Sequence, residues 1–217
     1  MSAERRPAVA DRVAAADKVG PVSREADHAL LAALRTQTSC LHQELDARLQ
    51  SGDGAPLTLR QYTTFLRATS AVVVPLEAPL ALRLGGVFVH ERAGERRASL
   101  VQDLADLDTA LAPASPTLPA IDGRAAAMGA AYVILGSHLG GQMIGRGLFG
   151  RDVTAATPTR YVNLYGTELG PMWKRFTSAL GAFGHSSDEA SRQHVASVAV
   201  AIFTAFGVAL DGEGMPR

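Results

Sequence analysis

Cysteine is nearly missing from this chain of 217 residues, which holds Cys40 alone. An intrachain disulfide framework and an all-cysteine metal cluster are therefore excluded. A lone thiol suits a reducing cytoplasm, which is the expected location. Net charge is missing as well, because 21 Lys and Arg balance 21 Asp and Glu. Nucleic-acid binders usually carry a basic excess, so nucleic acid is not an expected partner. Charged residues make up 19% of the chain, below the roughly 25% of average soluble domains. Hydrophobic residues make up 47%, too many for a mostly disordered chain. The usual catalytic signatures are missing too: there is no Walker loop, nucleophile elbow, His-Glu-x-x-His or EF-hand loop. No pair of Glu-x-x-His motifs is present, so a di-iron carboxylate bundle lacks its ligands. The first twenty residues carry charge throughout and have no apolar h-region, so no secretory signal is expected. Long unbroken apolar runs are lacking. Ser137, His138 and Gln142 interrupt the stretch 125–145, and the stretch 195–210 is shorter than the roughly 20 residues a membrane span needs. Both read as buried helices, and no membrane span is expected.

What the chain does have is alanine in abundance and leucine at three-and-four spacing, the pattern of amphipathic helices. Six to eight helices are expected, and strands are hard to place: the run at 87–89 is too short to found a sheet. Residues 1–24 read as a flexible N-terminal extension, and 25–212 as one all-α domain. A first helix near 25–50 carries the stripe Leu30, Leu31, Leu34, Leu41, Leu45 and Leu49. The turn-forming SGDGAP at 51–56 ends it. Thr58 can cap a second helix over about 59–84, which Pro75 and Pro79 are expected to kink or divide. Further helices are expected near 95–112, 122–148, 159–182 and 189–210, the last capped by Ser187 or Asp188. GRDVTAATP at 150–158 reads as a loop.

The fourth of these helices contains Gly136, Gly140, Gly141, Gly145 and Gly147. Each interior glycine costs about 0.8–1 kcal/mol relative to alanine, so five together cost on the order of 4–5 kcal/mol. A bare backbone is needed there either for a flat ligand lying against the helix or for close helix–helix packing at Gly136 and Gly140. Those glycines follow no expected strand, so a dinucleotide fingerprint fails its context. His42 lies at the margin of the apolar face of the first helix. Its imidazole is either an ordinary surface or core group or a metal ligand, with Asp46 one turn on to hold its second nitrogen. One histidine cannot hold a bare zinc ion, but it can hold haem iron, because the macrocycle supplies four ligands.

Together these segments resemble the biliverdin-producing haem oxygenases. LRTQTSCLHQELD is similar to that family's proximal helix, with an L-[RK]-x-x-T-x-x-x-H pattern. AYVILGSHLGGQMIGRGL is similar to its distal helix, with Tyr followed by G-x-x-x-G-G-Q. YGTELGPMWKRFTSAL and VASVAVAIFTAFGVAL resemble the later helices of bacterial, phytochrome-associated members. The resemblance covers about residues 28–210. It implies an all-helical bundle with haem between the first, proximal helix and the glycine-rich distal helix. It also implies cleavage of haem at a meso carbon to biliverdin, carbon monoxide and ferrous iron. Oxygen would be consumed, with electrons from a ferredoxin or a flavoprotein reductase, and a phytochrome could receive the biliverdin. By resemblance His42 is the iron ligand, Asp46 its imidazole partner and Thr38 a packing residue. Gly136, Gly140 and Gly141 line the distal face, Tyr132 meets the macrocycle edge and Phe203 forms an aromatic wall. Arg35 and Lys174 pair with the propionates. Gly136, Ser137 and Gly140 are the catalytic set. Ser137 stands where animal members carry an aspartate, and a hydroxyl is the poorer proton source.

Other residues have plainer readings. Cys40 and Trp173 read as packing residues, and His138, one residue round the helix, either faces the pocket or, as its position favours, points aside. Arg92, Arg96 and Arg97 read as an exposed helix start, or as part of a docking face for an acidic electron donor. Two other functions compete with the enzyme. One is a non-catalytic haem-binding protein of the same fold, for storage, sensing or delivery. The other is a thiaminase-like helical enzyme using Cys40.

Overall fold

The three-and-four leucine spacing becomes helix throughout the computed structural model, which describes residues 21–49, 57–85, 92, 94–113, 116–147 and 157–215. Among the described residues there are six α-helices and no strand. They are α1 (Pro21–Leu49), α2 (Leu59–Leu84), α3 (Glu95–Asp106), α4 (Arg124–Gly147), α5 (Leu169–Ser186) and α6 (Glu189–Gly212), with a 3-10 turn at Gly166–Glu168. The fold is all-α, as expected. The turn expected at 51–56, the loop at 150–156, the apolar run at 87–89 and residues 1–20 lie outside the described residues.

Helix ends follow local chemistry. α1 begins at Pro21, ahead of the expected 25, at a position where proline's missing N–H costs nothing. α2 starts with a capping box: the Gln61 N–H donates to the Thr58 hydroxyl at 3.2 Å, and the Thr58 N–H donates to the Gln61 carboxamide at 2.9 Å. Pro75 and Pro79 do not divide α2, which runs through both as one helix. α3 stops at Asp106, short of the expected 112. Asp108 takes a left-handed φ of 51°, and the Thr109 N–H bonds back to the Leu104 carbonyl at 2.9 Å, a Schellman closure. The helix expected over 159–182 is instead a turn followed by α5. Gly166 at φ 48° separates the two, and Pro171 sits in α5's first turn. Asp188 caps α6, its Oδ1 accepting from the Ser191 N–H at 2.8 Å.

α6 is the central element and packs on α1, α2 and α4; α5 packs on α1 and α4, and α3 on α2. α4 and α6 approach closely at Gly129, where a Cβ would lie 2.3 Å from the Val195 carbonyl oxygen. Arg96 ties α3 to α2. It was expected at an exposed helix start, but its side chain is 0% exposed and its Nε donates to Glu77 Oε1 at 2.6 Å. Arg92 and Arg97 are exposed, as expected. α2 and α6 are long and apolar enough to cross a membrane by length and composition. In each, 56% of the apolar window is buried inside the bundle, and core helices pass the same test.

Candidate functional site

Among the described residues α1 and α4 are not one of the main packing pairs, yet both line one cavity of about 580 Å³. Ligand sites typically run from about 300 to 1,000 Å³. The slot therefore lies between these two helices, with α2, α5 and α6 completing its walls. Leu45, Leu49, Phe65, Val133, Phe206 and Leu210 make it largely apolar. Its few polar groups are those of Arg35, His42, Asp46, Thr69, Tyr132 and Ser137.

The α1 wall carries an oriented imidazole. His42 Nδ1 lies 3.0 Å from Asp46 Oδ2, the i,i+4 pairing that brings one helical turn into register. In the neutral tautomer that donates from Nδ1, Nε2 carries the lone pair a ligand would use. The His42 side chain is 57% exposed, and its ring meets Phe203 edge-on with centroids 5.7 Å apart. Thr38 is buried, and its hydroxyl donates to the Leu34 carbonyl at 2.8 Å, which fits packing.

The α4 wall carries bare backbone. A Cβ on Gly140 would meet nothing within 4 Å, and one on Gly136 would meet only the edge of Trp173 at 3.5 Å, an ordinary contact. A Cβ on Gly141 would touch Val162 at 3.7 Å. Helix–helix packing therefore does not require the glycines at 136 and 140, which face the slot. The glycine that packing does require on α4 is Gly129. Gly145 and Gly147 lie beyond the described part of this surface. Ser137 also lines the slot, but its hydroxyl donates to the Ile134 carbonyl at 2.8 Å.

The structure brings together His42, Asp46, Arg35, Tyr132, Gly136, Ser137, Gly140, Gly141 and Phe203 on one cavity. It does not bring in Lys174, which is exposed on α5 and does not line the slot. Its neighbour Trp173 lies about 100° round the helix and lines the slot in its place, with its ring 6.1 Å from that of Tyr132. Sequence reading placed Trp173 in the core. The only signal to the contrary was its position three residues before Phe176, at the edge of α5's apolar face. Phe65, Thr69 and Phe206 were missed, since nothing in their local pattern separates a cavity wall from a core. Cys40 is exposed rather than packed, and it does not line the cavity. The thiaminase-like reading thus has no thiol in the slot.

His138 points aside, as expected: it is buried and absent from the lining. Burial, then the Arg96 charge, pushes its pKa down to about 3, with the Tyr161 backbone opposing. It is a neutral imidazole. Among the described residues no three His, Cys, Asp or Glu side chains gather as a bare metal ion would require. Comparison of the chain with protein-family models, curated proteins and solved structures finds no match.

Proposed function

We propose that the slot between α1 and α4 binds haem and that the protein is a haem oxygenase, cleaving the macrocycle at a meso carbon to biliverdin, carbon monoxide and ferrous iron. One observation carries this reading: an imidazole with its Nδ1 held by a carboxylate shares an apolar slot with helix backbone at Gly136 and Gly140 that no described residue requires to be bare. A single imidazole suffices only where the ligand brings the remaining metal ligands itself, as a macrocycle does. The slot suits a flat apolar molecule in its lining and its size. Arg35, exposed at the slot, can pair with a propionate carboxylate, a role Lys174 is not placed to share.

The chain's own residues contribute binding and orientation. Asp46 orients the ring of His42 by holding its Nδ1. Gly136 and Gly140 let the macrocycle approach the α4 backbone. Phe203, Phe206 and Trp173 exclude water from its faces. Bound haem supplies the redox chemistry, with oxygen and an external reductant as co-substrates.

One observation favours the haem-binding alternative. The Ser137 hydroxyl is turned to its own helix, and no carboxylate lines the α4 wall. Haem-loaded protein, given ascorbate or a ferredoxin system in air with catalase present, separates the two. The enzyme converts the Soret spectrum into the broad red absorption of biliverdin. A binding protein keeps a stable Soret band under both reductants.

A further inference from the structure

α3 supplies no residue to the slot lining and packs on α2, yet it holds the segment that backs the α4 wall. That segment is the turn at 160–165, in which Tyr161, Val162 and Tyr165 are buried. On one side the turn meets α4. The His138 ring centroid lies 4.8 Å from that of Tyr161 and 4.9 Å from that of Tyr165, and a Cβ on Gly141 would touch Val162 at 3.7 Å. Ser137, Gly140 and Gly141 line the slot from the same stretch of α4. A wall with so little side-chain bulk of its own rests on what is packed behind it.

On its other side the turn is tied to α3. Asp103 lies between the buried Leu100 and Leu104 and is itself 0% exposed. An apolar residue there would serve packing alone, and a buried carboxylate is costly unless it is paired and hydrogen-bonded. Both oxygens of Asp103 are spent on the turn. Oδ2 accepts from the Tyr161 backbone N–H at 2.8 Å, and Oδ1 accepts from Arg160 Nη1 at 2.9 Å. Arg160 also donates to Asp106 at 2.6 Å.

We propose that Asp103 is a positioning residue for the slot: by holding Arg160 and the Tyr161 backbone, it seats the turn against His138 and Gly141 and so fixes where the α4 wall stands. The carboxylate suits this role because hydrogen bonds to a charged acceptor are stronger than neutral ones. Side chains that hold a site in place without touching its ligand still change what the site binds. The brace stands without haem; only its effect on ligand affinity rests on the haem reading.

The free protein carries its own reporter. Trp173 is the single tryptophan of the chain, lines the slot, and would meet a Cβ on Gly136 of α4 at 3.5 Å. In Asp103→Ala its fluorescence is expected to shift to the red and to be quenched more readily by acrylamide. Asp188→Ala, which removes the α6 N-cap instead, serves as the control for lost stability and is expected to keep the wild-type emission. Each variant is read where a urea titration shows it folded. If Asp103→Ala does not fold, Arg160→Ala, whose side chain is half exposed, takes its place with the same expectation. Wild-type emission and quenching in the brace variant, or a shift that Asp188→Ala shares, overturns the proposal. Hemin titration reads the effect on the ligand: affinity is expected to fall about threefold or more in the brace variant. An unaltered affinity overturns the influence on the slot. If the wild-type chain binds no haem, the Trp173 result decides the brace and the failure belongs to the haem reading.

Discussion

At the residue scale, the two kinds of glycine on α4 make opposite predictions. Gly129→Ala drives a methyl into the Val195 carbonyl, a backbone atom that cannot swing aside. It should destabilise the protein by about 1–3 kcal/mol or more, read as a lower urea midpoint. Gly140→Ala enters open space in helical backbone and should stabilise by about 0.4–1 kcal/mol. Gly140→Leu should keep the fold but weaken haem binding by about tenfold or more, since its side chain occupies the slot. A destabilised Gly140→Ala would return that glycine to a packing role. His138 sets a pH dependence whose sign follows from its lowered pKa. Between the ordinary 6.5 and about 3, the unfolded chain takes up a proton that the native imidazole refuses. Stability is therefore full above about pH 6.5 and falls as pH drops through that window. From pH 7 to pH 5 the His138 share is on the order of 2 kcal/mol. Urea titrations at the two pH values should show a smaller loss in His138→Leu than in wild type; an equal loss contradicts a buried neutral His138.

At the element scale, helix existence was legible and helix ends were less so. The leucine stripe of α1 and the caps at Thr58 and Asp188 could be read directly because they rest on local spacing. The stop of α3 depends on Asp108 adopting a left-handed φ, which no local rule demands of an aspartate. Arg96 was illegible for a different reason. Its burial is made by Glu77 from α2 and Tyr165 from the turn before α5, partners 19 and 69 residues away. These bonds anchor α3 and that turn to α2. Glu77→Ala leaves a buried guanidinium without its carboxylate and should cost about 3–5 kcal/mol in chemical unfolding. A loss below about 1 kcal/mol would mean that water reaches Arg96 and the pair is not a tie.

At the scale of the whole molecule, the slot arises because α6 and α5 hold α1 and α4 apart while packing on both. The two walls were legible in outline. His42 with Asp46 and the glycine run are short-range patterns with chemical meaning. The aromatic lining was not legible, because Phe65, Trp173 and Phe206 become cavity walls only through the tertiary arrangement. Lys174 shows the same limit from the other side: one position round α5 separates the slot from solvent. Whether this slot takes haem through His42, as proposed, is decided by a hemin titration of the purified chain. The expected result is a Soret band that saturates at one haem per chain, and a shifted or much weaker band for His42→Ala under the same conditions. A titration that yields no Soret band, or one that His42→Ala leaves unaltered, would contradict it.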